Sequence, residues 1–365
     1  MTTNVDERLS TPVSTVILTL AGVIIVLSGM RAIDQILSPT LLALFLVVTF
    51  RPIAANLERR GVPKVVTMLL TLAIIYGVLL GLGLCIYLAI TTFASTLVAQ
   101  PEQFNSLVAQ GTALLRDLGV SSGDTSSLAS LFSPSRIATL ATSLVSASAA
   151  VAGALALILA LTFFMALDAA NFSARLNLVT RFRPDMAGAL LNFGQATRNY
   201  FVVAAGFGAI VAVVDWILLI IVGVPNAWLW ALLAFVTNFI PNIGFILGVI
   251  PPAILALLTI DWRAALIIVV GYSVINVIIQ VLIQPKVVGD RVELNTTLTF
   301  LALIVWTFIL GGLGAILAIP MTLLVRALFI DSRPQLRWIR VLFSSGDGPK
   351  PRTVPKPEEP APLPG

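Results

Sequence analysis

Histidine is absent from all 365 residues, and cysteine occurs once, at Cys85. The first absence excludes histidine–metal sites and Ser–His–Asp chemistry. A single cysteine can form no intrachain disulfide, and its place in an apolar run reads as a small packing residue. Charge is scarce as well: 11% of residues are charged, against about 25% in soluble domains. No G-x-x-x-x-G-K-[ST] loop occurs, so the chain carries no ATP motor of its own, and no H-E-x-x-H motif occurs either. Asp168 and Asp215 lack the Gly-x-Gly-Asp setting of an intramembrane aspartic protease, in which two acids share a proton. The sequence therefore reads as a non-enzyme with no cofactor and no metal.

What is abundant is apolar. Hydrophobic residues make up 58% of the chain and the mean hydropathy is +1.02. That composition predicts an all-α polytopic membrane protein whose main partner is the lipid bilayer. The net charge of +5 is not a nucleic-acid signal, because the basic residues sit in short loops and the tail, as membrane topology requires. No cleavable signal peptide is expected, since the first apolar run is long enough to span and has no convincing basic leader.

About eight hydrophobic segments follow one another: 13–30, 36–50, 65–93, 139–167, 200–222, 228–260, 264–283 and 294–325. They divide the chain into N-terminal spans (1–93), an amphipathic stretch (94–138), a C-terminal transport region (139–345) and a Pro-rich tail (346–365) too polar to fold. The segments Arg51–Lys64 and Asp168–Arg198 read as basic loops; the latter holds four Arg against two Asp. The 94–138 stretch has only Arg116 and Arg136 against three acids. The basic bias puts both termini in the cytoplasm and 94–138 outside.

Two of the segments are too long and too interrupted. "NFIPNIGFILGVIPP" (Asn238–Pro252) holds three prolines, two glycines and two asparagines. As one helix, 228–260 would be about 50 Å long, against a hydrocarbon core of about 30 Å. Split at Pro241–Gly244, it yields two half-helices, and 294–325 does the same at "GGLG" (Gly311–Gly314). Each segment is either a re-entrant hairpin or a kinked span, and counting crossings leaves the tail on the same side in both cases. Broken backbone at membrane depth survives only when buried in protein or lining a wet cavity. Paired Gly/Pro-broken segments in opposite halves mark transporter binding sites, where helix ends offer free dipoles.

The polar groups in the apolar segments are few. Asn238 and Asn242 flank Pro241, while Asn276, Gln280 and Gln284 recur at four-residue spacing with Tyr272 one step earlier. On a regular helix they form one amide stripe, which either lines a solute path or glues helices together. Asp215 is the only charge between Tyr200 and Ile260. A buried acid in a span is costly and is a candidate proton or sodium carrier, unless it pairs with a cation or lies near an interface.

"NFIPNIG" (Asn238–Gly244), Pro251, "QPKVVGDRVELN" (Gln284–Asn295) and "GGLGAILAIPMT" (Gly311–Thr322) occur in that order. This ordered set resembles the AI-2E family of autoinducer-2 exporters and related permeases. The likeness runs from about Asp168 to Leu328; the N-terminal half is similar mainly in its spans and in Pro52. The resemblance implies a bacterial inner-membrane homo-oligomer, five subunits being the expected number, that exports small polar molecules. It also implies, for some relatives, sodium/proton antiport. Asp215 lies outside the pattern. A non-transporting scaffold or channel is the remaining alternative. The candidate substrate site comprises Asn238, Pro241, Asn242, Gly244, Asn276, Gln280, Gln284, Gly311, Gly312 and Gly314, with Asp215 for ion coupling. Being rich in amides and without clustered charge, it suits a small neutral, hydroxyl-rich solute.

Overall fold

The structure, a computed structural model, describes residues 12–117, 134–241, 243–284, 295–333 and 335–336. Every regular element among them is helical: α1 (Pro12–Ala32), α2 (Asp34–Arg59), α3 (Lys64–Ala99), α4 (Pro101–Asp117), α5 (Pro134–Phe182), α6 (Pro184–Val222), α7 (Ala227–Thr237), α8 (Gly244–Thr259), α9 (Trp262–Asn276) and α10 (Thr296–Arg326). Two π-helical segments, Val277–Ile283 and Ala327–Asp331, continue α9 and α10. Among the described residues seven helical stretches, counting α9 and α10 with their π extensions, have the length and apolar composition of a membrane span, and α7 and α8 are shorter apolar helices. The chain is an all-α polytopic membrane protein.

Helices begin and end where local chemistry allows. Asp261 accepts a bond from the Ala264 amide and caps α9; Asn295 accepts one from Leu298 and caps α10, both at 2.7 Å. Gly223 closes α6 in the left-handed conformation (φ 86°) that glycine takes without a steric cost.

The two segments expected to be basic loops are largely helical. α2 runs through Pro52 to Arg59, and only Arg183 separates α5 from α6. The reason is that a helix already paid for by its apolar span can extend past the membrane face, where its charges are solvated. The tail, and the 285–294 part of the second quoted motif, lie outside the described residues.

Both long C-terminal segments are hairpins. α7 and α8 fold back on each other across the turn 238–243. A Cβ on Gly248 would lie 3.0 Å from Thr237 Oγ1 and 3.3 Å from Ala234 Cα. One on Gly244 would land on the Thr237 carbonyl. α10 divides at Gly311 (φ 64°, ψ −151°), and its halves also close on each other. The Trp306 indole N–H donates to Thr322 Oγ1 at 3.1 Å. In an unbroken helix residues sixteen apart would stand about 24 Å from one another.

Chain direction places the hairpins head to tail. The first starts and ends at the face where α6 finishes and α9 begins. The second starts and ends at the opposite face, which α9 and its π extension approach. Two large apolar clusters and a smaller one around Phe207, Val211 and Ile279 hold the bundle. One large cluster joins α2, α3, α5 and α6 to the halves of α10 through Phe45, Ile75, Phe193, Trp306 and Leu317. The other large one joins α3, α6, the first hairpin and α9 through Leu219, Trp230, Leu255, Ile268 and Tyr272.

Candidate functional site

The turn of the first hairpin satisfies much of its own main chain. Ile240 N donates to Thr237 O at 2.8 Å, Ile243 N to Pro241 O at 2.7 Å, and Gly244 N to Ile240 O at 3.0 Å. Pro241 sits half-buried in this turn, where its missing N–H leaves no bond unmade. What the turn offers its surroundings is therefore chiefly side-chain amide.

Those amides are wired together. Asn238 Nδ2 donates to Ala204 O on α6 at 3.2 Å, and Asn238 Oδ1 accepts from Gln280 Nε2 at 2.7 Å. The same Gln280 nitrogen donates to Asn276 Oδ1 at 2.7 Å, and Asn276 Nδ2 donates to Tyr272 O at 2.8 Å. Gly208 admits the Asn238 amide against α6, because a Cβ there would stand 2.9 Å from Nδ2. The Tyr200 hydroxyl donates to Phe239 O at 2.8 Å, a second tie from α6 to the turn. The result is a neutral polar group joining α6, the first hairpin and the end of α9.

The stripe predicted along α9 is only partly regular. Tyr272 and Asn276 are buried and Gln280 is half-buried, but from Val277 onward the helix is π. A π turn takes in an extra residue, so Gln284 no longer stacks above Gln280. Gln284 is half-buried at the end of that segment. Asn242 lies outside the described residues.

The glycines of the second hairpin belong to another place. Gly311 makes the break, Gly312 is exposed, and Gly314 is buried where a Cβ would land on the Trp306 carbonyl. The carbonyl of Leu310, released by the break, accepts from the Ser38 hydroxyl of α2 at 2.9 Å. The Arg31 guanidinium stacks 3.9 Å above the Phe308 ring. No hydrogen bond joins the two turns among the described residues. They communicate through packing: Phe239, Ile240 and Ile243 rest on the cluster that contains Leu303, Leu310 and Leu317.

Asp215 is fully buried on α6, and neither carboxyl oxygen meets a hydrogen-bond partner among the described residues. It is separate from the amide group. A small cavity of about 50 Å³ lies elsewhere, where the C-terminal half of α2 and the first turns of α3 meet α5 near Ala166, lined by Arg51, Glu58, Lys64 and Thr71 among others. It contains none of the predicted site residues.

Sequence reading missed Tyr200, Ser38 and the Trp306–Thr322 clasp. A tyrosine or tryptophan in an apolar segment was the available signal, since its polar tip needs a partner once buried.

Comparison with known proteins agrees with the architecture. Residues 14–333 match the family described as AI-2E family transporter. The AI-2 transport protein TqsA of Escherichia coli (strain K12) is 28% identical over 314 residues, 85% of this chain and 90% of that protein. A Haemophilus influenzae relative named only as a "Putative transport protein" is 29% identical over 331 residues, 87% and 92% of the two chains. YhhT of Escherichia coli (strain K12), named in the same terms, is 24% identical over 314 residues, 84% and 88%.

Proposed function

Because the chain belongs to the AI-2E transporter family, we propose that it is a secondary exporter of a small, polar, uncharged metabolite of the autoinducer-2 class. The solute is held at the turn of the first hairpin by Asn238 and Gln280, with Asn276 behind them and Tyr200 steadying the turn. The observation that carries this reading is the amide group itself: three neutral carboxamides joined at membrane depth beside a broken helix. Such groups exchange hydrogen bonds with hydroxyls, and they present no fixed charge to hold an anion.

The second hairpin, entering from the opposite face, forms the facing wall. Gly311, Gly312 and Gly314 serve it by shaping the break rather than by ligating the solute. The hairpins and α9 move as a unit against α1–α3 and α5. The protein works in the bacterial inner membrane with both termini cytoplasmic, as a homo-oligomer. Most of the apolar span of α1 is exposed, with Leu27 and Met30 packed on the core, and the exposed face is available to a neighbouring subunit.

The test is reconstitution of the full chain into liposomes with labelled autoinducer-2 and a panel of small polyols. Saturable flux with countertransport is expected, which neither a scaffold nor a simple pore would show. Asn238→Ala and Gln280→Ala should lower that flux about tenfold, the order expected for loss of one buried hydrogen-bond partner. Wild-type flux in both variants, when normally inserted, would remove the amide group from the transport path.

A further inference from the structure

The amide group leaves a second polar pair unused. Asp215 and Tyr272 are both fully buried, and both carboxyl oxygens and the phenol oxygen have no hydrogen-bond partner among the described residues. The helices that carry them, α6 and α9, pack against each other, and Leu219 and Tyr272 share one cluster. Their depths agree. Asp215 is seven residues from the end of α6 and Tyr272 ten from the start of α9, so they lie about 10 and 15 Å in from the same face.

Their surroundings are apolar. Val211 lies one turn before Asp215 and Leu219 one turn after it, and Trp230 and Ile268 occupy the same cluster as Tyr272. The Trp230 N–H is committed to Pro225 O. From α3 the titratable group in this cluster is Cys85, whose thiol turns to Leu229 O at 3.9 Å. No Lys or Arg among the described residues forms an ion pair with Asp215. A carboxylate ion left there without donors would carry a large desolvation cost. A proton on the carboxyl removes that cost and supplies a donor from which the Tyr272 hydroxyl oxygen can accept once the two groups close on each other.

We propose that Asp215 and Tyr272 form the proton-coupling site of transport, the Asp215 carboxyl carrying the proton and the Tyr272 hydroxyl accepting its hydrogen bond. This rests on the transport reading above. When the pair opens to water, the O–H bond of the carboxyl breaks. The carboxylate keeps the electron pair and the proton passes to water; before the site closes again, hydronium from the water it faces returns a proton to the carboxylate. The link to the solute is short. The Tyr272 carbonyl accepts from Asn276, Asn276 from Gln280, and Gln280 donates to Asn238. A shift of Tyr272 therefore shifts the group that holds the solute.

Two readouts test this on the full chain in liposomes. Infrared difference spectroscopy on a pH step should show a protonated-carboxyl band that disappears in Asp215→Asn and changes frequency in Tyr272→Phe. Flux of labelled autoinducer-2 driven by a pH gradient should fall about tenfold in Asp215→Asn, within the range of ordinary coupling energies. Countertransport without a gradient should stay near wild type, which also shows that the variant is folded. A carboxyl band that survives Asp215→Asn, or undiminished proton-driven flux, would overturn the proposal. A wild-type protein that moves no solute, yet shows the band, would sink the transport reading and leave the proton on the pair.

Discussion

The two hairpins use one device in different ways. The first breaks over a polar turn with a proline and asparagine in it, tied sideways to α6 and the π segment by the Tyr200, Ala204 and Gln280 bonds. The second breaks at a single glycine, Gly311, and is closed by its own Trp306–Thr322 bond and by Ser38 of α2. Membrane-buried backbone must be satisfied from within the protein. The first hairpin meets this demand with a turn that leaves amides at its edge. The second meets it with the least possible disruption. One break is built to present polarity, the other to pack.

Substitutions can separate those roles. The largest effect should come where the hairpins are alike, at their crossing glycines. Gly244→Ala and Gly314→Ala each drive a Cβ into a main-chain carbonyl that cannot yield, at a cost of about 3 kcal/mol or more. Thermal unfolding in detergent should show both severely destabilised, whereas Gly312→Ala, with open space around it, should unfold like wild type.

Next comes Gly311→Ala. Its φ of 64° with ψ of −151° is a region that only glycine occupies easily, so a loss of about 1–3 kcal/mol is expected without any clash. Among the described residues the first turn has no positive φ, so no such backbone strain is expected there.

Smaller in stability, but decisive for the contrast, are the ties. Asn238→Ala and Ser38→Ala should each cost about 1 kcal/mol of stability. Asn238→Ala should also lower solute flux, while Ser38→Ala should leave it near wild type. Equal flux losses in both would end the division of labour. Smallest is Thr322→Val, which removes the Trp306 bond and keeps the volume; about 1 kcal/mol or less is expected, read as a lower unfolding midpoint with flux unchanged.

Much of this fold was legible in the chain. Apolar runs located the spans, and "NFIPNIG" and "GGLG" located both breaks, because proline and glycine change the backbone in ways composition reveals. Helix continuing through 168–182 and 184–198 was not legible: charged residues outside the bilayer look the same on helix and loop. The π segment left no mark either, since an inserted residue in a hydrogen-bond ladder alters register and not composition. Gln280 lies within that segment and bonds both Asn276 and Asn238. Ser38 and Tyr200 escaped notice because their meaning lies in partners 272 and 39 residues away. Asn276 and Gln280, by contrast, announced themselves through spacing alone.

The most direct test of the hairpin architecture is a distance between the two ends of the first one. Trp228 and Ile260 are 47% and 43% exposed and accept spin labels after Cys85 is replaced. A re-entrant hairpin places both labels at one membrane face, with a separation well under about 25 Å, whereas an unbroken helix of that length separates them by about 48 Å. A narrow short-distance peak in lipid is the expected result, and a distribution centred near the longer value would contradict the account.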